Sequence, residues 1–388
     1  MPNVSEISRV KVQPIMLRWA RERARLSYDA LTHRFPKLND WESGEVDPTF
    51  KQLEAYAKAT YAPFGYFFLQ SPPEEPLPIP DFRTIGGVEV KRPSPNLLDT
   101  IYSCQQRQAW YRDFESSVGA EPLDFVGSAT IGSDVVEVAK AMREVLGFDL
   151  EERRVCSTWT ESLRKFIAQA DSIGVLVMCS GVVLNNNRRH LDTDEFRGFA
   201  LSDDLAPLVF INGADTKAAQ MFTLAHELAH LWLGRSALSN ATVAPQWSNA
   251  IEGWCNRVAA ELLAPIDVVK QELRPGEPLS EVTSRLARRF KVSTLVVLRR
   301  LLDADYFGYA DFQQAYDAEV AHLQAIVRPS GGGDFYLTTA ARVSKRFARA
   351  IYVSTLEGHT LYQDAFQLLG ISKSNTFNEL GRSLGYNT

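Results

Sequence analysis

Residues 221–234 limit what this chain can fold into more than any other stretch, because they set His226, Glu227 and His230 in an otherwise apolar run. On a helix the two histidines stand one turn apart on one face, the spacing at which two imidazole nitrogens meet one metal ion. Glu227 is turned by about 100° from His226, outside a metal's coordination sphere but within reach of a water on it. A His-Glu-x-x-His pattern alone also arises by chance on ordinary surfaces. Here Phe222, Leu224, Ala225, Leu228, Ala229, Leu231 and Leu233 mark a buried helix, and unpaired imidazoles and a carboxylate inside a core are costly unless a ligand satisfies them. Gly234 supplies the C-cap.

A hydrolytic zinc takes three protein ligands and keeps one position open. Residues 249–265 read as one helix stopped by Pro265. Glu252, Cys255, Asn256, Ala259, Leu262 and Leu263 share one side of its wheel; Trp254, Arg257 and Glu261 share the other. Glu252 is therefore the third-ligand candidate, with a carboxylate simply favoured by the helix dipole as the alternative. Asn256, one turn on, is placed to hydrogen-bond a ligating histidine or Glu252. Cys255 reads as a small core residue, and Glu261 as the solvated partner of Arg257.

These residues carry a resemblance. The run from Phe222 to His230, followed by Glu252 and Pro265, is similar to the ImmA/IrrE family of bacterial zinc metallopeptidases. Residues 197–201, 206–213 and 286–293 resemble it too, and residues 41–44 and 48–53 resemble the Xre-type helix-turn-helix often fused to such peptidases. The resemblance implies Zn2+ held by His226, His230 and Glu252 in a gluzincin-like site, with Glu227 as the catalytic glutamate. It also implies a helix-turn-helix regulator as protein substrate, in stress response, mobile-element or toxin-antitoxin control. The alternative is a regulatory DNA- or protein-binding, antitoxin-like module that retains a peptidase-like domain.

The expected fold class is α+β: a zincin-like domain with a small mixed sheet, flanked by helical regions. Residues 1–70 form an Xre-like helical domain, 71–97 a proline-rich connector, 98–310 the peptidase domain with its preceding helices, and 311–388 a C-terminal helical region. Strand-like runs at 173–178, 199–201 and 208–211 precede the histidine-bearing helix. Peptides commonly add a strand to a sheet edge, and this together with the resemblance puts Ala200 to Asp203 or Phe210 to Asn212 beside the scissile bond, with Ala200, Phe210 and Asn212 as candidate substrate contacts. Arg197 is a candidate clamp for substrate carboxylate, with a structural ion pair as the default. His190, in a polar loop, reads as surface. Thr160 is the expected cap of a helix through Leu163, Phe166 and Ile167.

In the N-terminal region, Ser27 and Thr49 read as helix caps, while Pro36 and the short spacing to Trp41 leave little room for a groove-reading helix. DNA is thus the weaker partner expectation, and protein docking the stronger. The C-terminal region reads as a basic helix from Thr339 to about Leu356 after a glycine-rich hinge at 329–334, then helices over 362–369 and 374–380. A net charge of −5 excludes a broadly cationic surface. Four cysteines without paired spacing read as free thiols. No apolar leader or run of membrane-spanning length is present in the sequence, so a cytoplasmic location without membrane association is expected.

Overall fold

The structure, a computed structural model, describes residues 8–82, 92–239, 249–325 and 342–386. The expected hinge at 329–334 and the expected helix start at Thr339 lie outside the described residues. Two compact units emerge, one of Met1–Pro78 with Glu89–Ile101, the other of Ile79–Val88 with Tyr102–Thr388.

The first unit holds α1 (Pro14–Arg23), α2 (Tyr28–Thr32), α3 (Leu38–Ser43), α4 (Phe50–Thr60) and a 3-10 turn at Phe64–Phe68. Ser27 caps α2 by accepting from the Ala30 amide, and Thr49 and Gln52 form a reciprocal capping box on α4. Gly44, at φ 81°, ends α3. Phe35, Trp41 and Tyr56 meet edge to face around a core that includes Met16, Leu17, Leu38 and Leu53. α3 has six residues, and it turns Leu38, Trp41 and Glu42 inward, leaving Lys37 and Asn39 exposed. The proline-rich stretch is extended but is no idle spacer: Glu75 makes a buried ion pair with Arg23 at 2.6 Å.

In the second unit, α5 (Pro95–Ser117, from Tyr102 on) leads to α6 (Val135–Leu146), α7 (Leu150–Val155) and α8 (Trp159–Ser172). Thr158, not Thr160, caps α8: its extended backbone frees the hydroxyl to accept from the Glu161 amide, whereas Thr160 already lies within the first turn. Strands β1 (Leu176–Ser180), β2 (Gly198–Leu201) and β3 (Leu208–Asn212) precede α9 (Lys217–Trp232), and β4 (Ala237–Ser239) follows it. The sheet order is β1-β3-β2-β4, with β1 parallel to β3 and the other pairs antiparallel. Side chains alternate across the pleat. Ala200, Val209 and Ile211 join the apolar cluster built on α9, while Phe199 and Phe210 stack at 5.0 Å on the opposite face. The fold is therefore α+β.

α9 ends where Gly234, at φ 65°, hands the chain to β4; a Cβ there would sit 3.0 Å from Gly127 Cα, so a larger residue would be strained in backbone and crowded at this crossing. α10 (Ala250–Leu263), capped by Asn249, packs on α9 along one side and on α6 along the other. Then come α11 (Ile266–Gln271), α12 (Leu279–Phe290), α13 (Thr294–Asp303), α14 (Tyr309–Ala325), α15 (Lys345–Leu356), α16 (Tyr362–Leu369) and α17 (Ser374–Ser383). Among the described residues, no helix is long and apolar enough to cross a membrane.

Candidate metal centre

The metal-binding candidates sit on α9 and α10, whose packing fixes their separation. Spacing of four brings the His226 and His230 rings to 4.9 Å on one face of α9. Glu252, in the first turn of α10, projects between them. His226 Nε2 lies 3.1 Å from His230 Nε2, and the Glu252 oxygens lie 3.2 Å from His226 Nε2 and 3.0 Å from His230 Nε2. Two imidazole nitrogens and a carboxylate facing one another form an electron-rich triangle that a cation resolves. Ligand atoms about 2.0–2.1 Å from a tetrahedral zinc stand about 3.3 Å apart, so the spacing fits such an ion. Glu252 Oε1 is buried and faces His230 Nε2 at 3.0 Å, the position of an atom that shares a ligand with that ring.

Around this triangle, Asn256 Oδ1 lies 3.1 Å from His226 Nδ1. If the asparagine oxygen accepts the Nδ1 proton, Nε2 keeps its lone pair for a metal. Glu227 Oε1 accepts from the Ser239 hydroxyl at 2.7 Å, while Oε2 is buried without a hydrogen-bond partner. β2 passes so close to α9 here that a Cβ on Gly198 would lie 3.1 Å from Glu227 Oε1 and 2.6 Å from Thr223 Cγ2.

Burial pushes the Glu227 carboxyl up to about 8, against the opposing pull of His226 and of the Ser239 hydroxyl. Burial also works against charge on Glu252, but the positive charge of His226 and the hydrogen bonds of both imidazoles outweigh it and hold that carboxyl near 2. Burial lowers His226, yet Glu252 beside it leaves the ring above its ordinary value; on His230 burial prevails and the ring is lowered. The two carboxylates are thus driven apart, one a fixed anion and the other able to exchange a proton near neutrality. Cys255 is buried, and burial raises its thiol well above the ordinary value, so it is a packing residue rather than a thiolate ligand.

The structure corrects the expected substrate contacts. Ala200, Phe210 and Asn212 lie in β2 and β3, whose edges are both paired, so neither strand can accept a peptide. Phe210 faces away from α9, and the Asn212 amide donates to the Phe196 carbonyl at 3.1 Å. Arg197 forms an ion pair with Asp215 at 3.1 Å. Glu261 is also corrected: it is buried and paired with Arg300, not solvated beside Arg257, because α6 and α13 close over the second side of α10. The same closure buries Trp254, whose indole donates to the Ser133 carbonyl. His190 is exposed. Ser239 and β4 gave no sequence signal, since three residues without β-branching follow a glycine.

Residues 170–302, which carry all of these groups, match the model of the IrrE N-terminal-like domain. Residues 343–383 match a domain of unknown function, DUF8813. Over 101 residues the chain is 33% identical to the radiation response metalloprotease IrrE of Deinococcus radiodurans, an alignment covering 25% of this chain and 31% of that protein. The aligned part thus spans about a third of the relative's length. Residues 170–302, about a third of the chain, are thus similar to the IrrE N-terminal-like domain.

Proposed function

We propose that the chain is a zinc-dependent endopeptidase whose substrate is a protein, in the first instance a helix-turn-helix regulator or partner. The observation that carries this reading is the convergence of His226, His230 and Glu252 on one point beside a buried Glu227 with an unbonded oxygen. His226, His230 and Glu252 hold the zinc; two neutral nitrogens and one carboxylate leave a net positive site. Zinc bound there polarises a carbonyl and makes water a better nucleophile at neutral pH. Glu227 takes the proton of the attacking water at Oε2 and delivers it to the leaving amine nitrogen. The Ser239 hydroxyl holds Oε1, which keeps Oε2 turned toward the reacting atoms. Asn256 steadies the His226 ring.

The substrate assignment rests on the family resemblance; the name of the Deinococcus relative, a radiation response metalloprotease, supports the metallopeptidase part of the reading. Glu227→Gln tests the reading, because it keeps side-chain size and all three ligands and removes only the proton carrier. Wild type and variant, matched for zinc by elemental analysis, are incubated with helix-turn-helix regulators from the same organism as candidate partners, and each partner's intact mass is followed. Cleavage by wild type, slowed about 10²-fold to 10⁴-fold in the variant, is the expected result. Candidate partners all left intact by both zinc-loaded proteins remove the peptidase reading in favour of a binding module.

A further inference from the structure

The outer edge of β4 is the sheet edge beside the metal centre, and the chain fills it with its own backbone. Leu238 turns its peptide groups away from β2: its N–H donates to the Pro80 carbonyl at 2.9 Å, and its carbonyl accepts from the Phe82 N–H at 2.9 Å. Asp81 stands opposite Leu238 in parallel register. The Phe82 ring then lies over His230, with centroids 6.2 Å apart and planes 24° from parallel. A three-residue strand from far upstream thus covers a ligand histidine with an aromatic side chain.

We propose that residues 80–82 are an internal stand-in for substrate. The edge of β4 takes an extended peptide by main-chain pairing with Leu238, and the seat over His230 takes that peptide's aromatic side chain. The chain's own segment leaves before a substrate enters. This rests on the peptidase reading and adds to it a substrate class and a means of restraint.

Three features separate this strand from a permanent fifth member of the sheet. Its backbone is held by two ladder bonds around one registered pair, where β1 and β3 register over five residues, so its main-chain pairing opens more readily than theirs. At position 80 the pairing needs only a carbonyl, so proline is admitted there, and its ring limits the backbone freedom lost on docking. Its contacts include those a strand-addition site offers, sequence-independent main-chain bonds at Leu238 and a side-chain seat at His230.

The test uses the full chain, zinc-loaded and carrying Glu227→Gln so that nothing is cut. The probe is a fluorescently labelled peptide of residues 77–82, Leu-Pro-Ile-Pro-Asp-Phe, read by anisotropy. Adding Phe82→Ala to the protein should tighten peptide binding roughly 10-fold or more, because the fraction of open sites limits apparent affinity. The same peptide ending in Ala should lose roughly that factor. In wild type, the Phe82 and Leu238 amides should exchange hydrogen through an opening well short of global unfolding. Should Phe82→Ala lack the parent's circular dichroism, Phe82→Leu carries the comparison. Equal binding to parent and variant, indifference to the peptide's aromatic residue, or exchange of those amides only on global unfolding overturns the proposal. Zinc content is measured in every sample, and binding is read without hydrolysis. Failure here therefore leaves the cleavage test standing, and failure of cleavage leaves the seat standing.

Discussion

Two glutamates on α10 show what a single residue's surroundings decide. Glu252→Ala removes a corner of the triangle and should abolish stoichiometric zinc. Glu261→Ala should keep zinc but take from buried Arg300 one of its two carboxylate partners, leaving Asp303 at 3.0 Å, at a cost of about 1–3 kcal/mol in denaturant unfolding. Equal stability of Glu261→Ala and wild type would contradict that burial. Glu252 was legible in the sequence because its side of the wheel is apolar; Glu261 was not, because its burial depends on α6 and α13, which no local pattern reports. Glu227 carries a pH signature in chelator-stripped protein. Its folded pKa of about 8 lies above the ordinary 4.5, so the fold binds the extra proton, and the stability it holds at low pH is lost as pH rises from about 4.5 through 8. Glu227→Gln has no such loss. It should melt higher than wild type at about pH 9 and alike at about pH 5, and the reverse order would refute the assignment.

At the scale of elements, the approach of β2 to α9 does the positioning. Gly198 permits it: a Cβ would meet Phe210 O at 2.8 Å as well as Thr223 and Glu227. Gly198→Ala should therefore lift β2, costing about 1–3 kcal/mol, and lower cleavage while zinc content stays full. An unchanged denaturation midpoint would show that the contact is looser than described. β1, β2 and β3 were legible from their β-branched and aromatic runs, and α9 and α10 from their periodicity and stops. β4 and residues 80–82 were not. Their strand character comes from the open edge each pairs with rather than from propensity, and that edge belongs to residues distant in sequence. The misplacement of Ala200 follows from the same gap, since without β4, β2 looks like an edge; Phe210 and Asn212 lie on β3, between β1 and β2, an order that no local pattern reports.

For the whole molecule, the proposed arrangement is a helical N-terminal region, a connector, a metallopeptidase domain and a C-terminal helical region. The connector was read as a spacer because five prolines between residues 71 and 80 forbid helix. Prolines say nothing against edge pairing through carbonyls, and that is the role residue 80 takes. In the N-terminal unit, the six-residue α3 directs Leu38, Trp41 and Glu42 into the core, leaving few side chains with which such a helix could read a groove. All of these parts matter to catalysis only if the centre binds its metal. X-ray absorption at the zinc edge, with elemental analysis of the same full-length sample, tests that most directly. The account predicts close to one zinc per chain, with two imidazole nitrogens and carboxylate oxygen in its shell and no sulfur. A shell containing the Cys255 sulfur, or purified and zinc-supplemented protein that retains no zinc, would contradict it.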